Sequence, residues 1–208
     1  MNTLSLLESQ KMAQKYGIKF AQSKNAASEE ELEKACAELG FPIAMKIVSS
    51  QISHKTDVGG VAINIESLTQ AKKKFSEMKK LEGFEAIALQ KMLRGKEIII
   101  GGKRDVQFGP TVLVGLGGIF VEVFKDYRIG ICPIKRTEAK EMLESLKAYP
   151  VLAGVRGKKG VNLREVEDAI ISISRLMMKE KKVQELDINP LIANSKNALA
   201  VDARIVVE

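Results

Sequence analysis

The sequence has no tryptophan and few other aromatic residues: three tyrosines and seven phenylalanines in 208 residues. Proteins that hold single-stranded nucleic acid stack its bases on aromatic rings, so this chain offers little surface for that partner despite its net charge of +7. Many of its lysines also fall in helical runs beside glutamate, as at Lys72–Lys74 and Lys179–Lys182, and such runs usually form solvated helix faces. A nucleic-acid partner is not expected, and a polyphosphate ligand accounts for the positive excess equally well. Cysteine is scarce too. Cys36 and Cys132 stand far apart with no CxxC or Cys/His cluster, which favours buried thiols over a disulfide or a zinc site. Long apolar runs are missing as well. Ile98–Ile100 and Val112–Leu116 fall far short of the roughly 20 residues a membrane helix needs, and Glu8, Gln10, Lys11 and Lys15 interrupt any signal-peptide core in Met1–Phe20. The expected setting is the cytoplasm, with no membrane contact.

What is present suits a folded α+β protein, with 45% hydrophobic and 28% charged residues. Leu4, Leu7, Met12 and Tyr16 recur at helical spacing up to Gly17. Ser28 followed by Glu29, Glu30 and Glu31 caps and charges the start of a helix that runs to Gly40. Ile43–Val48 and Val61–Ile65 read as strands, Leu68–Leu81 as a helix, and Ala86–Met92 and Glu97–Lys103 as strands. Strands are expected again at Thr111–Leu116, Ile119–Phe124 and Arg128–Cys132. Helices follow at Thr137–Lys147 and at Leu163–Lys182, the latter capped by Asn162. A terminal hairpin then pairs Val183–Ala193 with Ala198–Val207. The expected organisation is two lobes, residues 1–89 and 90–208.

The only histidine, His54, precedes a polar loop that closes on two adjacent glycines, Gly59 and Gly60. Glycines accept positive φ and let backbone amides approach phosphate oxygens, and Lys55 adds positive charge. A neutral imidazole is a competent nucleophile near pH 7, so His54 is the residue that could carry a phosphoryl group reversibly. A solvated turn has the same composition, and the residues alone leave both readings open. Lys46 is the one charge in an apolar strand. Burying an unpaired ammonium is costly, so it has either a ligand or a route to solvent at the sheet edge.

Asp187 and Asn189 lie two apart on one strand and therefore share a face, with Asp202 on the strand expected opposite. Three oxygen donors so placed suit a hard cation such as Mg2+, which keeps waters and takes further ligands from nucleotide phosphates. A polar sheet edge is the alternative.

Four stretches in this order carry a resemblance: Pro42–Ser49, the loop around His54, Gly117–Glu122, and Leu186–Leu191. Over nearly its whole length the chain resembles the β subunits of ADP-forming acetyl-CoA (acyl-CoA) synthetases. The resemblance implies an ATP-grasp fold of two lobes with the nucleotide between them. It also implies an α subunit that binds acid and CoA and passes phosphoryl between histidines, in an α2β2 heterotetramer. His54 then matches the histidine that carries the group to ADP, and Asp187 the acid that steadies it. Asn189 and Asp202 match the Mg2+ ligands. Lys46 matches the phosphate-contacting lysine, Gly59–Gly60 the phosphate-covering turn with Lys55 beside it, and Gln90, Lys91, Met92 and Leu93 the hinge that holds adenine. Glu97 matches the acid just beyond the hinge. Arg104 and Arg156 lie in matching segments and could face phosphate or serve as salt-bridge residues. CoA-binding and ligase portions are absent, so the full reaction is expected to need the partner. A free-standing ATP-grasp carboxylate ligase without a phosphohistidine, and a non-catalytic nucleotide- or RNA-binding module, are the rival readings.

Overall fold

The computed structural model describes residues 1–49, 58–118, 121, 123–155, 157 and 159–208. The chain forms two compact units: Met1–Phe20 with Arg94–Glu208, and Ala21–Leu93. The larger one begins with β1 (Asn2–Thr3) and α1 (Leu6–Lys15). Helix α1 starts at a reciprocal cap, in which Glu8 N–H donates to Ser5 Oγ and Ser5 N–H donates to the Glu8 carboxylate at 2.9 Å.

The smaller unit comprises β2 (Ser23–Ala26), α2 (Glu29–Leu39), β3 (Ile43–Val48), β4 (Val61–Ile65), α3 (Leu68–Met78) and β5 (Ala86–Lys91). Its antiparallel sheet runs β2-β5-β3-β4. Ser28 accepts from Glu31 N–H at the start of α2, and Gly40 ends that helix with φ of 63°. Leu32, Ala35, Cys36 and Leu39 of α2, with Ala71, Phe75 and Met78 of α3, pack on Ile43, Met45, Ile47, Ile87 and Leu89. Each fully buried aliphatic side chain of this kind contributes about 1.5–3 kcal/mol. Strand alternation puts Ala44 and Lys46 of β3, and Ala88 and Gln90 of β5, on the other face.

The larger unit continues with β6 (Lys96–Asp105), β7 (Gly109–Leu116), β8 (Tyr127–Ile131), α4 (Arg136–Glu144), α5 (Tyr149–Ala153), α6 (Leu163–Lys179), β9 (Val183–Ala193), β10 (Ala198–Ala200) and β11 (Arg204–Val207). The seven-stranded antiparallel sheet runs β1-β11-β9-β6-β7-β8, with β10 also on β9. Helix α6 lays Val166, Ala169, Ile170, Ile173, Leu176 and Met177 against β6 and β7. Asp126 is buried because its carboxylate accepts from Lys147 N–H at 2.9 Å and Ala148 N–H at 2.7 Å, which fixes the turn between α4 and α5. Cys36 and Cys132 are buried free thiols, as expected. Among the described residues no helix is long and apolar enough to cross a membrane.

Four expectations are corrected. Residues 1–20 belong with the larger unit rather than with residues 21–89, because β1 pairs with β11 and α1 packs on the core beneath it. The change of unit falls after Leu93, not at Leu89. Of the run expected as a strand at 119–124, the described residues are helical (Val121) or in a turn (Val123, Phe124). Gly118 turns the chain there with φ of 61°, and its carbonyl accepts from Val121 N–H. The strand expected at 198–207 breaks at Val201–Ala203, because the facing Pro190 has no N–H to donate and Ala203 N–H turns to the Asp202 carboxylate at 2.9 Å.

Candidate functional site

In the smaller unit Lys46 is half-buried, paired in register with Ala88 of β5 and Val61 of β4. Gln90 is buried on the same face, next to Ala44. The β3–β4 pairing, with Lys46 against Val61, holds the two ends of the 49–60 connection side by side. Gly60 extends it, its carbonyl accepting from Ile47 N–H at 2.7 Å. Only Gly59 of the glycine pair takes a positive φ, 73°, and a Cβ there would meet nothing within 4 Å. His54 and Lys55 lie outside the described residues, as does Arg156.

The hinge stretch is partly committed within the protein. Lys91 N–H donates to Gln22 O and Met92 N–H to Pro42 O, while Lys91 Nζ donates to Phe41 O at 3.1 Å. The Leu93 N–H finds no acceptor among the described residues, so of these amides it is the one available to a ligand.

In the larger unit the burial pattern of β9 turns Leu186 and Ile188 into the core and Asp187 and Asn189 to the opposite face. Asp187 pairs with Gly101 of β6 on one side and Arg204 of β11 on the other. Burial pushes its carboxyl above the usual aspartate value, the Arg204 guanidinium opposes that, and nearby Asp202 adds to it. Asp202 sits in the break between β10 and β11. The flanking pairs Leu191–Ala200 and Asp187–Arg204 bring it across from Asn189. Asp187, Asn189 and Asp202 are thus brought together, although the strand expected to carry Asp202 is interrupted there. Among the described residues no three His, Cys, Asp or Glu side chains form a metal cage. An amide oxygen at Asn189 and a carboxylate at Asp202 are instead a sparse, hard donor set. That suits Mg2+, which usually keeps waters and takes phosphate oxygens.

Glu97 is exposed at the start of β6, and its carbonyl accepts from Gly117 N–H at 2.8 Å. Arg104 is bound to backbone carbonyls within the larger unit. Its Nη2 donates to Met177 O at 2.8 Å and Glu180 O at 3.4 Å, and its Nε donates to Val183 O at 3.2 Å, so it caps the end of α6. Arg204 is the residue that the sequence reading passed over. A charge opening the apolar run Ile205–Val207, close after Asp202, was the available signal.

The chain matches the ATP-grasp domain over residues 1–207. It is 42% identical to the acetate–CoA ligase (ADP-forming) I subunit beta of Pyrococcus furiosus over 208 residues, covering 96% of this chain and 90% of that protein. The chain belongs to the ATP-grasp family. Its place there is among the β subunits of ADP-forming acyl-CoA synthetases. The acetate–CoA ligase (ADP-forming) of Methanocaldococcus jannaschii is also 42% identical, over 92% of this chain but only 29% of that longer protein. Among solved structures, the acetyl-coenzyme A synthetase 1 of Ca. Korarchaeum cryptofilum superposes with a TM-score of 0.87 at 37% identity, over 99% of this chain and 93% of that one. That structure contains coenzyme A and Mg-AMPPCP, with a phosphohistidine segment pointing towards the nucleotide binding site. This ATP-grasp chain has the α+β construction of its relatives, two antiparallel sheets each backed by helices.

Proposed function

We propose that this ATP-grasp chain is the nucleotide-handling β subunit of an ADP-forming acyl-CoA synthetase. It transfers phosphoryl between His54 and Mg·ADP in the reversible reaction acyl-CoA + ADP + phosphate = acid + ATP + CoA. Acetate is the acid its relatives' names favour. The observation that carries the reading is the convergence of Asp187, Asn189 and Asp202 from β9 and the β10–β11 break, in a chain of this family. An α subunit binds the acid and CoA, in an α2β2 assembly in the cytoplasm.

In the ATP-forming direction the P–N bond of phosphohistidine breaks as an oxygen of the ADP β-phosphate forms the new P–O bond. The imidazole leaves with the electron pair on that nitrogen. Asp187 accepts a hydrogen bond from the other ring nitrogen, which fixes the tautomer and favours the cationic form of the ring. Lys46 and the Gly59–Gly60 turn bind phosphate oxygens, with Lys55 beside them. Gln90 and the Leu93 N–H take the base, with Lys91 and Met92 holding the hinge, and Glu97 lies just beyond it. Asn189 and Asp202 hold Mg2+, which offsets phosphate charge during transfer.

Incubating the chain with ATP radiolabelled in its γ-phosphate is the test. Acid-labile label on the wild type that is absent from His54→Ala is the expected result. An unlabelled wild type overturns the reading, and acyl-phosphate turnover that survives His54→Ala moves it to a free-standing carboxylate ligase.

A further inference from the structure

A sheet edge offers backbone N–H and C=O groups to any strand that reaches it, and folded proteins blunt such edges with short, charged or bulged strands. Three of the four ends of the two sheets are blunted in these ways. Strand β1 has two residues, β2 exposes Ser23, Lys24 and Asn25, and β4 breaks register with β3 and carries Asn64 at φ of 56°. Strand β8 is the exception. It keeps unbroken register with β7 over Tyr127–Ile131, and Ile129 and Ile131 are 60% and 55% exposed.

One hydrogen bond gives the direction of its free groups. Just beyond β8, Cys132 N–H donates to Pro110 O at 2.9 Å, and peptide groups alternate sides along an antiparallel strand. Arg128 and Gly130 therefore turn their N–H and C=O towards β7, while Ile129 and Ile131 turn theirs to the open edge. A cavity of about 550 Å3 opens beside that edge, lined also by Ile134, Glu138, Glu141 and Met142. Glu138 accepts from Lys135 N–H at 2.6 Å, but neither glutamate has an ion-pair partner among the described residues. Arg128 lines the same cavity and is already committed. Its Nε donates to Ser145 Oγ at 3.1 Å, its Nη1 to Tyr127 O at 2.8 Å and its Nη2 to Ser145 O.

We propose that the open edge of β8 receives an extended segment of the α subunit as an added antiparallel strand. Its apolar residues cover Ile129 and Ile131, and the basic residues alternating with them reach Glu138 and Glu141. A second copy of this chain fits the edge poorly, because pairing β8 with β8 brings two grooves and their four carboxylates together. An edge of five residues is also far smaller than the roughly 1,200 Å2 that a stable interface buries, so it belongs within a larger contact. The inference rests on the β-subunit reading above, which supplies the partner.

The probe is a fluorescent peptide, Lys-Val-Lys-Val-Lys-Val-Lys, blocked at both ends, with binding followed by anisotropy. The wild-type chain should bind it. The same peptide N-methylated at its valines loses the N–H donors that face β8, and should bind at least about 10-fold more weakly, as should an alternating Val-Glu peptide. Ile129→Pro removes one outward N–H and leaves the β7 ladder intact, so its binding should fall about 10-fold at an unchanged thermal midpoint. Adding the α subunit should displace the peptide and slow hydrogen exchange at Ile129 and Ile131. No binding by the wild type overturns the proposal, as does equal affinity for the N-methylated or the Val-Glu peptide. So do full affinity in folded Ile129→Pro, and an α subunit that neither displaces the peptide nor protects the two amides. If Ile129→Pro fails to fold, the N-methylated peptide decides. A wild-type chain that sediments as a dimer and becomes a monomer in Ile129→Lys gives the edge to a second copy and also overturns it. A wild type that binds peptide and α subunit but takes no label from ATP overturns the phosphohistidine reading only. A labelled wild type whose Ile129 and Ile131 amides stay unprotected with the α subunit bound overturns this proposal only.

Discussion

Arg204 stands directly across the β9–β11 ladder from Asp187, and its guanidinium counteracts the upward push that burial and Asp202 exert on that carboxyl. If Asp187 must be ionised to steady the imidazole, Arg204 sets how far into acid the site works. Replacing Arg204 with Gln removes the lowering influence, so the Asp187 pKa rises and the ionised form is lost at a higher pH. The acid limb of the rate profile for phosphohistidine formation should move towards neutral pH while the rate well above it changes little. An unmoved profile would sink the assignment of Asp187 as the imidazole's partner.

Local chemistry made much of this fold legible. Ser28 and Asn162 cap the helices that their side chains announce, Gly40 ends α2, and the apolar run Ile43–Val48 is a central strand. Pairing between distant parts of the chain was not legible. Nothing in residues 1–20 says that β1 will pair with β11, and the break at 201–203 depends on Pro190 on a different strand. Val121 and its β-branched neighbours read as a strand until Gly118 is seen in the left-handed region. The site divides in the same way. Asp187 and Asn189 share a face because strand alternation requires it, whereas Arg204 acquires meaning only from its register against Asp187.

Arg104 holds three carbonyl oxygens where α6 gives way to β9: Met177, Glu180 and Val183. Cationic donors at a helix C-terminus satisfy carbonyls that lack intrahelical partners and complement the dipole. Arg104→Met should therefore cost about 1–3 kcal/mol of stability, which for a chain of this size lowers the thermal midpoint by roughly 2–4 °C per kcal/mol. Arg104→Lys should recover only part of this, because an ammonium cannot span the same fork of acceptors. The shift in midpoint on adding Mg·ATP should be retained in both variants. Its loss would assign Arg104 to the nucleotide site instead.

Tyr16 at the end of α1 donates its hydroxyl to Glu180 Oε1 at 2.7 Å, and Lys15 Nζ approaches the same oxygen at 3.1 Å. The hydrogen bond to Glu180 pushes the phenol up to about 12. In the unfolded chain it titrates near 10, as an unperturbed tyrosine does. A group whose pKa is higher folded than unfolded stabilises the fold fully below its unfolded pKa and loses that contribution as pH rises through the folded one. The difference in urea stability between wild type and Tyr16→Phe should hold steady up to about pH 9 and shrink between about pH 10 and 12. A difference that persists unchanged across that window would mean the hydroxyl's proton is not what ties α1 to the end of α6.

Asp202 has two tasks that one substitution can separate. Its carboxylate accepts from Ala203 N–H, and with Asn189 it supplies oxygen to the proposed Mg2+. Asparagine keeps an acceptor oxygen for the Ala203 amide but loses the negative charge that attracts a divalent cation. Asp202→Asn should therefore fold with a thermal midpoint close to that of the wild type, while the Mg2+ concentration needed for half-maximal phosphohistidine formation rises by about 10-fold or more, as for a site losing one of two protein ligands. Because so sparse a set leaves most of the coordination shell to water and phosphate, a chelator should abolish labelling without lowering the midpoint of the nucleotide-free chain. A midpoint that fell on chelation would show the cation to be part of the fold, and an unchanged Mg2+ requirement in Asp202→Asn would remove this residue from the metal site.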